Sequence, residues 1–196
     1  MNLTSTADAI KMIKNGKVGV LPTDTLYGLV ARAADPAAVK KLYALKHREH
    51  KPGTMVAANI EQLIELGLNE KDLKAAAYLW PNPIGVVMHM TDLGYLHQGL
   101  NEFSVRITAN EEVRNLLLQT GPLMTSSANT TGDPSSTNIE MAHDYFADAV
   151  DFYVDGGDLS GRAPSTIVDI KNGELVVYRE GAISKKQLDL LAVQNR

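Results

Sequence analysis

Short apolar runs, each leading into a polar or glycine-bearing loop, alternate with amphipathic segments along this whole chain. That alternation restricts the fold more than any other feature, because a strand must bury its apolar face against a helix or another sheet. It predicts strands at 18–21, 55–58, 84–90, 103–107, 123–126, 152–154, 166–170 and 175–178. Helices are expected at 61–67, 70–79, 111–119, 139–146 and 185–191. A first helix is signalled by Ser5 or Thr6 as cap, by Ala9, Ile10 and Ile13 on one face, and by Gly16 as stop. Asp35-Pro36 starts another, with Val39, Leu42 and Tyr43 as its inward stripe. Thr137 with Glu140 and Ser184 with Gln187 both read as capping boxes. Neither a repeat nor a linker interrupts the pattern, so one α/β or mixed α+β domain over residues 1–196 is expected.

Composition narrows the function classes. The 196 residues, 44% hydrophobic and 21% charged, suffice for a sizeable core. Without any cysteine, a disulfide framework and a thiolate metal site are both excluded. The first residues lack the apolar core of a signal peptide, and no apolar run is long enough to cross a bilayer. A cytoplasmic protein with no membrane contact is the expectation. The net charge of −4 argues against a protein that wraps nucleic acid. The basic cluster Lys40, Lys41, Lys46, His47, Arg48, His50 and Lys51 suits a small polyanion better, unless it is only a solvated helix end.

Familiar signatures are missing: the G-x-x-x-x-G-K-[ST] phosphate loop, G-x-G-x-x-G after a strand, the G-x-S-x-G elbow and H-E-x-x-H. Four other constellations remain, each with a plain structural reading beside the functional one. Pro22-Thr23-Asp24-Thr25-Leu26-Tyr27-Gly28-Leu29 follows a strand and offers fixed hydroxyls, or is a turn in which Asp24 bonds nearby amides. Lys46-His47-Arg48 pairs two cations that suit a triphosphate, or that answer the negative end of a helix dipole with little effect on stability. Ser126-Ser127-Ala128-Asn129 ends a strand where ligands gather in open α/β sheets, or is an ordinary polar loop. Ser165-Thr166-Ile167-Val168-Asp169 with Arg179 adds a cation placed to clamp an anion, or a common surface arginine.

In this order and spacing, P-T-D-T-x-Y-G-L, K-x-R, S-x-N and S-T-I-V-D closely resemble the YrdC family of threonylcarbamoyl-AMP synthases, over about residues 18–183. The resemblance implies a twisted, mixed parallel and antiparallel sheet with surrounding helices, open to a concave cavity. It implies synthesis of threonylcarbamoyl-AMP and pyrophosphate from L-threonine, bicarbonate and ATP, with Mg2+ arriving on the nucleotide. The product would pass to a separate complex that modifies adenosine 37 of tRNA, with at most weak RNA contact by this chain. Lys46 and Arg48 would be catalytic and hold the ATP phosphates, joined at the nucleotide by Asn129, Thr137 and Arg179. Thr23, Arg106, Ser127 and Ser165 would contact threonine. No protein metal ligands are implied. The alternative is an RNA-binding or nucleotide-binding relative without synthase turnover.

The chain departs from the family pattern at three places. Trp80-Pro81-Asn82-Pro83-Ile84-Gly85 stands where W-P-G-P-L-T is usual, so one hydroxyl is lost at Gly85 and one side chain gained at Asn82. Gly53-Thr54 replaces an apolar pair. Glu102 replaces a serine or threonine near the nucleotide, and a carboxylate there weakens phosphate binding unless it points away or meets a cation.

Overall fold

A computed structural model describes residues 3–47 and 50–194. The strands are β1 (Gly19–Pro22), β2 (Tyr27–Arg32), β3 (Thr54–Ala57), β4 (Ile84–His89), β5 (Glu102–Ile107), β6 (Leu123–Ser127), β7 (Phe152–Tyr153), β8 (Thr166–Lys171) and β9 (Glu174–Arg179). The helices are α1 (Thr6–Lys14), α2 (Pro36–Leu45), α3 (Ile60–Glu65), α4 (Glu70–Ala76), α5 (Gly94–His97), α6 (Glu111–Thr120), α7 (Ile139–Phe146) and α8 (Lys185–Gln194). All nine strands join one sheet in the order β7-β1-β2-β6-β3-β5-β4-β8-β9. Pairs β1–β7, β3–β5 and β4–β8 are parallel, and the others are antiparallel. The mixed α/β sheet expected from the resemblance is therefore present.

Local chemistry explains most helix starts. Ser5 accepts from the Asp8 amide, and Asp35 accepts from Ala37 and Ala38 ahead of a proline in the first turn. Ser184 and Gln187 form the expected reciprocal box. The other expected box is absent: Asn138, not Thr137, caps α7, taking the Met141 amide at 2.9 Å. One side of the sheet is buried throughout by α2, α3, α4, α7 and α8, through residues such as Leu42, Leu63, Leu73, Ile139 and Leu188. On the other side, α1 and α6 cover the sheet near Leu21, Val30, Val56 and Leu123.

Strand alternation puts Thr54, Thr125, Ser104 and Arg106 on the same side as Val56 and Leu123. This polar part of the face lines an open cavity of about 400 Å³. Beside the cavity the β8–β9 register slips between Ile167 and Val168. Such an irregularity re-aims side chains, and the consecutive residues Tyr178 and Arg179 both line the cavity. Among the described residues no helix is long and apolar enough to cross a membrane.

Candidate active site

The cavity collects Thr23, Arg106, Ser127, Ser165 and Arg179 from five separate stretches of chain. At its floor Arg106, only 3% exposed, donates from Nη1 to Asp24 Oδ2 at 2.5 Å. Asp24 thus answers a cation 82 positions away, in place of the local turn amides. A planar guanidinium held this way still has donors left for a ligand carboxylate. Above it the 23–26 turn is tied by Thr23 Oγ1, which donates to the Leu26 carbonyl at 2.7 Å and accepts from the Thr25 amide at 3.2 Å. Tyr27 braces the neighbouring chain, donating to the Gly157 carbonyl and accepting from the Gly156 amide, both at 2.8 Å. Burial pushes its phenol up to about 12, so the bracing hydroxyl stays protonated across the working pH range.

Another part of the lining is built by Arg179. Its Nε and Nη2 donate to the Ser165 carbonyl at 3.1 and 2.7 Å, and Nη2 reaches Ser165 Oγ at 3.2 Å. Two arginines from different strands therefore border one cavity, a field suited to an anionic ligand.

Lys46 departs from the expectation of a cation directed at phosphates. It is 2% exposed and closes the end of α2. Its ammonium donates to the main-chain carbonyls of Ser127 (2.8 Å) and Asn129 and to Asn129 Oδ1 (2.9 Å). Asn129 Oδ1 also accepts from Ser127 Oγ at 2.6 Å, while its amide donates to the Asp133 carbonyl at 2.6 Å. Lys46 and Asn129 thus hold the loop that presents Ser127, and neither lines the cavity. With its ammonium on three acceptors, Lys46 is expected to contribute to stability more than a solvated helix-end cation would. Arg48 lies outside the described residues. Thr137 also stands off the cavity lining, with its hydroxyl near Ser160 Oγ (3.3 Å) and Met141 Sδ (3.5 Å).

The departures from the family pattern have physical reasons. A Cβ at Gly53 would lie 2.2 Å from the Thr125 carbonyl, so only glycine fits. A Cβ at Gly85 would lie 2.2 Å from Ser104 Oγ, so the serine hydroxyl fills the place a threonine side chain would take. Asn82 turns its amide to the Leu79 carbonyl at 3.0 Å and does not line the cavity. Glu102 does line the cavity and meets a partner, His89 Nδ1 at 3.6 Å. Its carboxylate is 43% exposed, so solvent screens it. We expect Glu102→Ser to change ATP affinity by less than about fivefold, since such exposed charges are worth about 1 kcal/mol or less. Titration of ATP at several magnesium concentrations checks this, and a tenfold tightening would mean that the carboxylate faces the phosphates.

Residues missed from the sequence include Ser104, Tyr178 and Thr54, all on the cavity wall. Period-two alternation from Arg106 back through Ser104 to Glu102 was the available signal for Ser104.

Comparison with known proteins settles the family. The Sua5/YciO/YrdC family model, described as telomere recombination, matches residues 11–181. The chain belongs to this family. A threonylcarbamoyl-AMP synthase of Pseudomonas aeruginosa is 35% identical over 174 residues, covering 86% of this chain and 94% of the relative. One of Pyrococcus abyssi is 30% identical over 187 residues, 92% of this chain but 55% of the longer relative. The crystal structure of P. abyssi Sua5 complexed with L-threonine superposes with a TM-score of 0.84 at 28% identity, covering 95% of this chain and 56% of that one. Escherichia coli YciO, at 21% identity and a TM-score of 0.79 over 93% of this chain and 91% of that one, shares the fold.

Proposed function

We propose that this chain is an L-threonylcarbamoyladenylate synthase, joining L-threonine, bicarbonate and ATP with release of pyrophosphate. The observation that carries the reading is Arg106, a buried guanidinium at the floor of an open cavity that Arg179 borders on another side. Arg106 takes the amino acid's carboxylate by paired hydrogen bonds, which orients the amine. Thr23, Ser127 and Ser165 supply hydroxyls that position the carbamate formed when that amine bonds the bicarbonate carbon and water is lost. The carbamate oxygen then attacks the α-phosphorus and pyrophosphate leaves. None of these steps needs a covalent nucleophile, so alignment and fixed positive charge do the work. Arg179 faces the charge that develops on the phosphates.

Magnesium enters on ATP as part of that substrate. The Glu102 carboxylate and the Ser127 and Ser165 hydroxyls on the wall are oxygen donors, which fit a hard cation that keeps most of its shell from phosphates and water. When bound it would neutralise phosphate charge. The adenylate passes to a separate complex for N6-threonylcarbamoyl modification of tRNA adenosine 37, a division of labour in keeping with the net charge of −4. A cytoplasmic location and at most weak RNA contact go with this reading.

Pyrophosphate release from ATP is expected to require both L-threonine and bicarbonate. Equal release with no amino acid present would sink the synthase reading. Tight ATP binding with no release under any combination would favour a relative without turnover.

A further inference from the structure

Ser104 stands between Glu102 and Arg106 on the cavity face of β5, about 7 Å along the strand from Arg106. The residue is 9% exposed, and its Oγ is buried with no hydrogen-bond partner among the described residues. Leaving a hydroxyl in that condition is unfavourable, which is why buried polar groups without partners call for an explanation. The hydroxyl is turned into the notch over Gly85, 2.2 Å from the place of a missing Cβ, and Ile167 Cδ1 converges on the same notch at 2.7 Å. Val87 pairs directly with Ser104 across the β4–β5 ladder and, like Ile167, lines the cavity. On its β4 side the hydroxyl therefore sits among apolar side chains, with Thr54 paired to Ser104 on the β3 side, on the strand face that also carries the proposed carboxylate anchor.

That combination matches one side-chain chemistry. A β-hydroxyl beside a methyl group needs a single hydrogen-bonding partner in an apolar setting. We propose that Ser104, with Val87 and Ile167, forms the specificity cup for the side chain of the amino-acid substrate, the Ser104 hydroxyl bonding the substrate β-hydroxyl. Binding would turn Oγ about its one side-chain torsion from the Gly85 notch to a staggered position toward the cavity. The ligand then supplies the partner that the free protein lacks. Sites built to bond a hydroxyl reject analogues without it far more strongly than apolar pockets reject a change in size. The assignment rests on the synthase reading.

The test is calorimetric titration of the wild-type chain and Ser104→Ala with L-threonine and with L-2-aminobutyrate, which lacks the hydroxyl, together with thermal melts of both free proteins. Wild type is expected to prefer threonine by tenfold or more. In Ser104→Ala, threonine affinity should fall about tenfold while 2-aminobutyrate changes less than about twofold, as for loss of one hydrogen bond. The melting temperature of the free variant should hold or rise, because an unpartnered buried hydroxyl has been removed. Unchanged discrimination between the two amino acids in Ser104→Ala would overturn the proposal. Equal loss of both ligands with a lower melting temperature would overturn it too, since that marks a structural role. If wild type binds neither amino acid, the synthase reading itself fails, an outcome distinct from either.

Discussion

Arg106→Ala is expected to weaken L-threonine binding by about a hundredfold or more, while ATP affinity falls far less. Two charge-assisted hydrogen bonds to one carboxylate, each worth about 1.5–3 kcal/mol, account for a loss of that size. Arg106→Lys should recover little of it, because an ammonium cannot reproduce the planar fork. The same substitution should also destabilise the fold. Asp24, whose Oδ1 is already buried without a partner, would lose the guanidinium that balances its charge. Breaking one side of a buried pair costs about 3–5 kcal/mol. Adding Asp24→Asn to Arg106→Ala should restore much of the stability and none of the binding, so the two effects separate in a double-mutant cycle. Titration calorimetry and urea unfolding measure them. Threonine affinity within threefold of wild type in Arg106→Ala would reduce Arg106 to a structural partner of Asp24.

Lys46→Ala should act on the fold first and on both substrates second. Its removal takes a charged donor from the Ser127 carbonyl, which keeps the Asn129 amide, and from Asn129 Oδ1, which keeps Ser127 Oγ, and it strands the Asn129 carbonyl in a region where Asn129 is only 7% exposed. One unsatisfied buried acceptor costs about 1–3 kcal/mol and a lost bond to a charged group about 1.5–3 kcal/mol, and such costs are not additive, so a loss of about 3 kcal/mol is expected. For a chain of this size that lowers the melting temperature by about 6–12 °C. The loop carrying Ser127 would lose its anchor, so the affinities for threonine and for ATP should fall together. A phosphate-binding cation with no other duty would give the opposite pattern, normal melting with a loss confined to ATP. Thermal melts and separate titrations of the two substrates distinguish the two roles.

Local signals in the sequence reached far into the fold. Cap residues Ser5, Asp35 and Ser184 were readable because an N-cap bond spans only two or three residues. Strand β2 was not readable as a strand. Tyr27 to Ala31 is buried without alternation, since helices pack on both sides of the sheet there, and its first residues sit inside a motif that reads as a loop. The short α5 was missed for a related reason, having too few turns to show a period.

Order, spacing and residue type along the chain were enough to determine the family, the α/β class and the set of polar stretches from which the site is drawn. Arg106 entered only through the family resemblance, and Arg179, after an apolar strand, read equally as an anion clamp or a common surface arginine. Which polar residues face a ligand and which face the protein was decided only by the tertiary structure. Asp24 and Arg106 meet across 82 positions, Lys46 and Asn129 across 83. A charged side chain reads the same in sequence whether it ends in a cavity or in a ring of carbonyls. The difference is set by burial and by the partners that distant strands deliver. Glycine at 85 likewise looks like a lost hydroxyl until the neighbouring strand places Ser104 Oγ in the vacated space, because contact across a sheet depends on register, which the linear order of residues does not state.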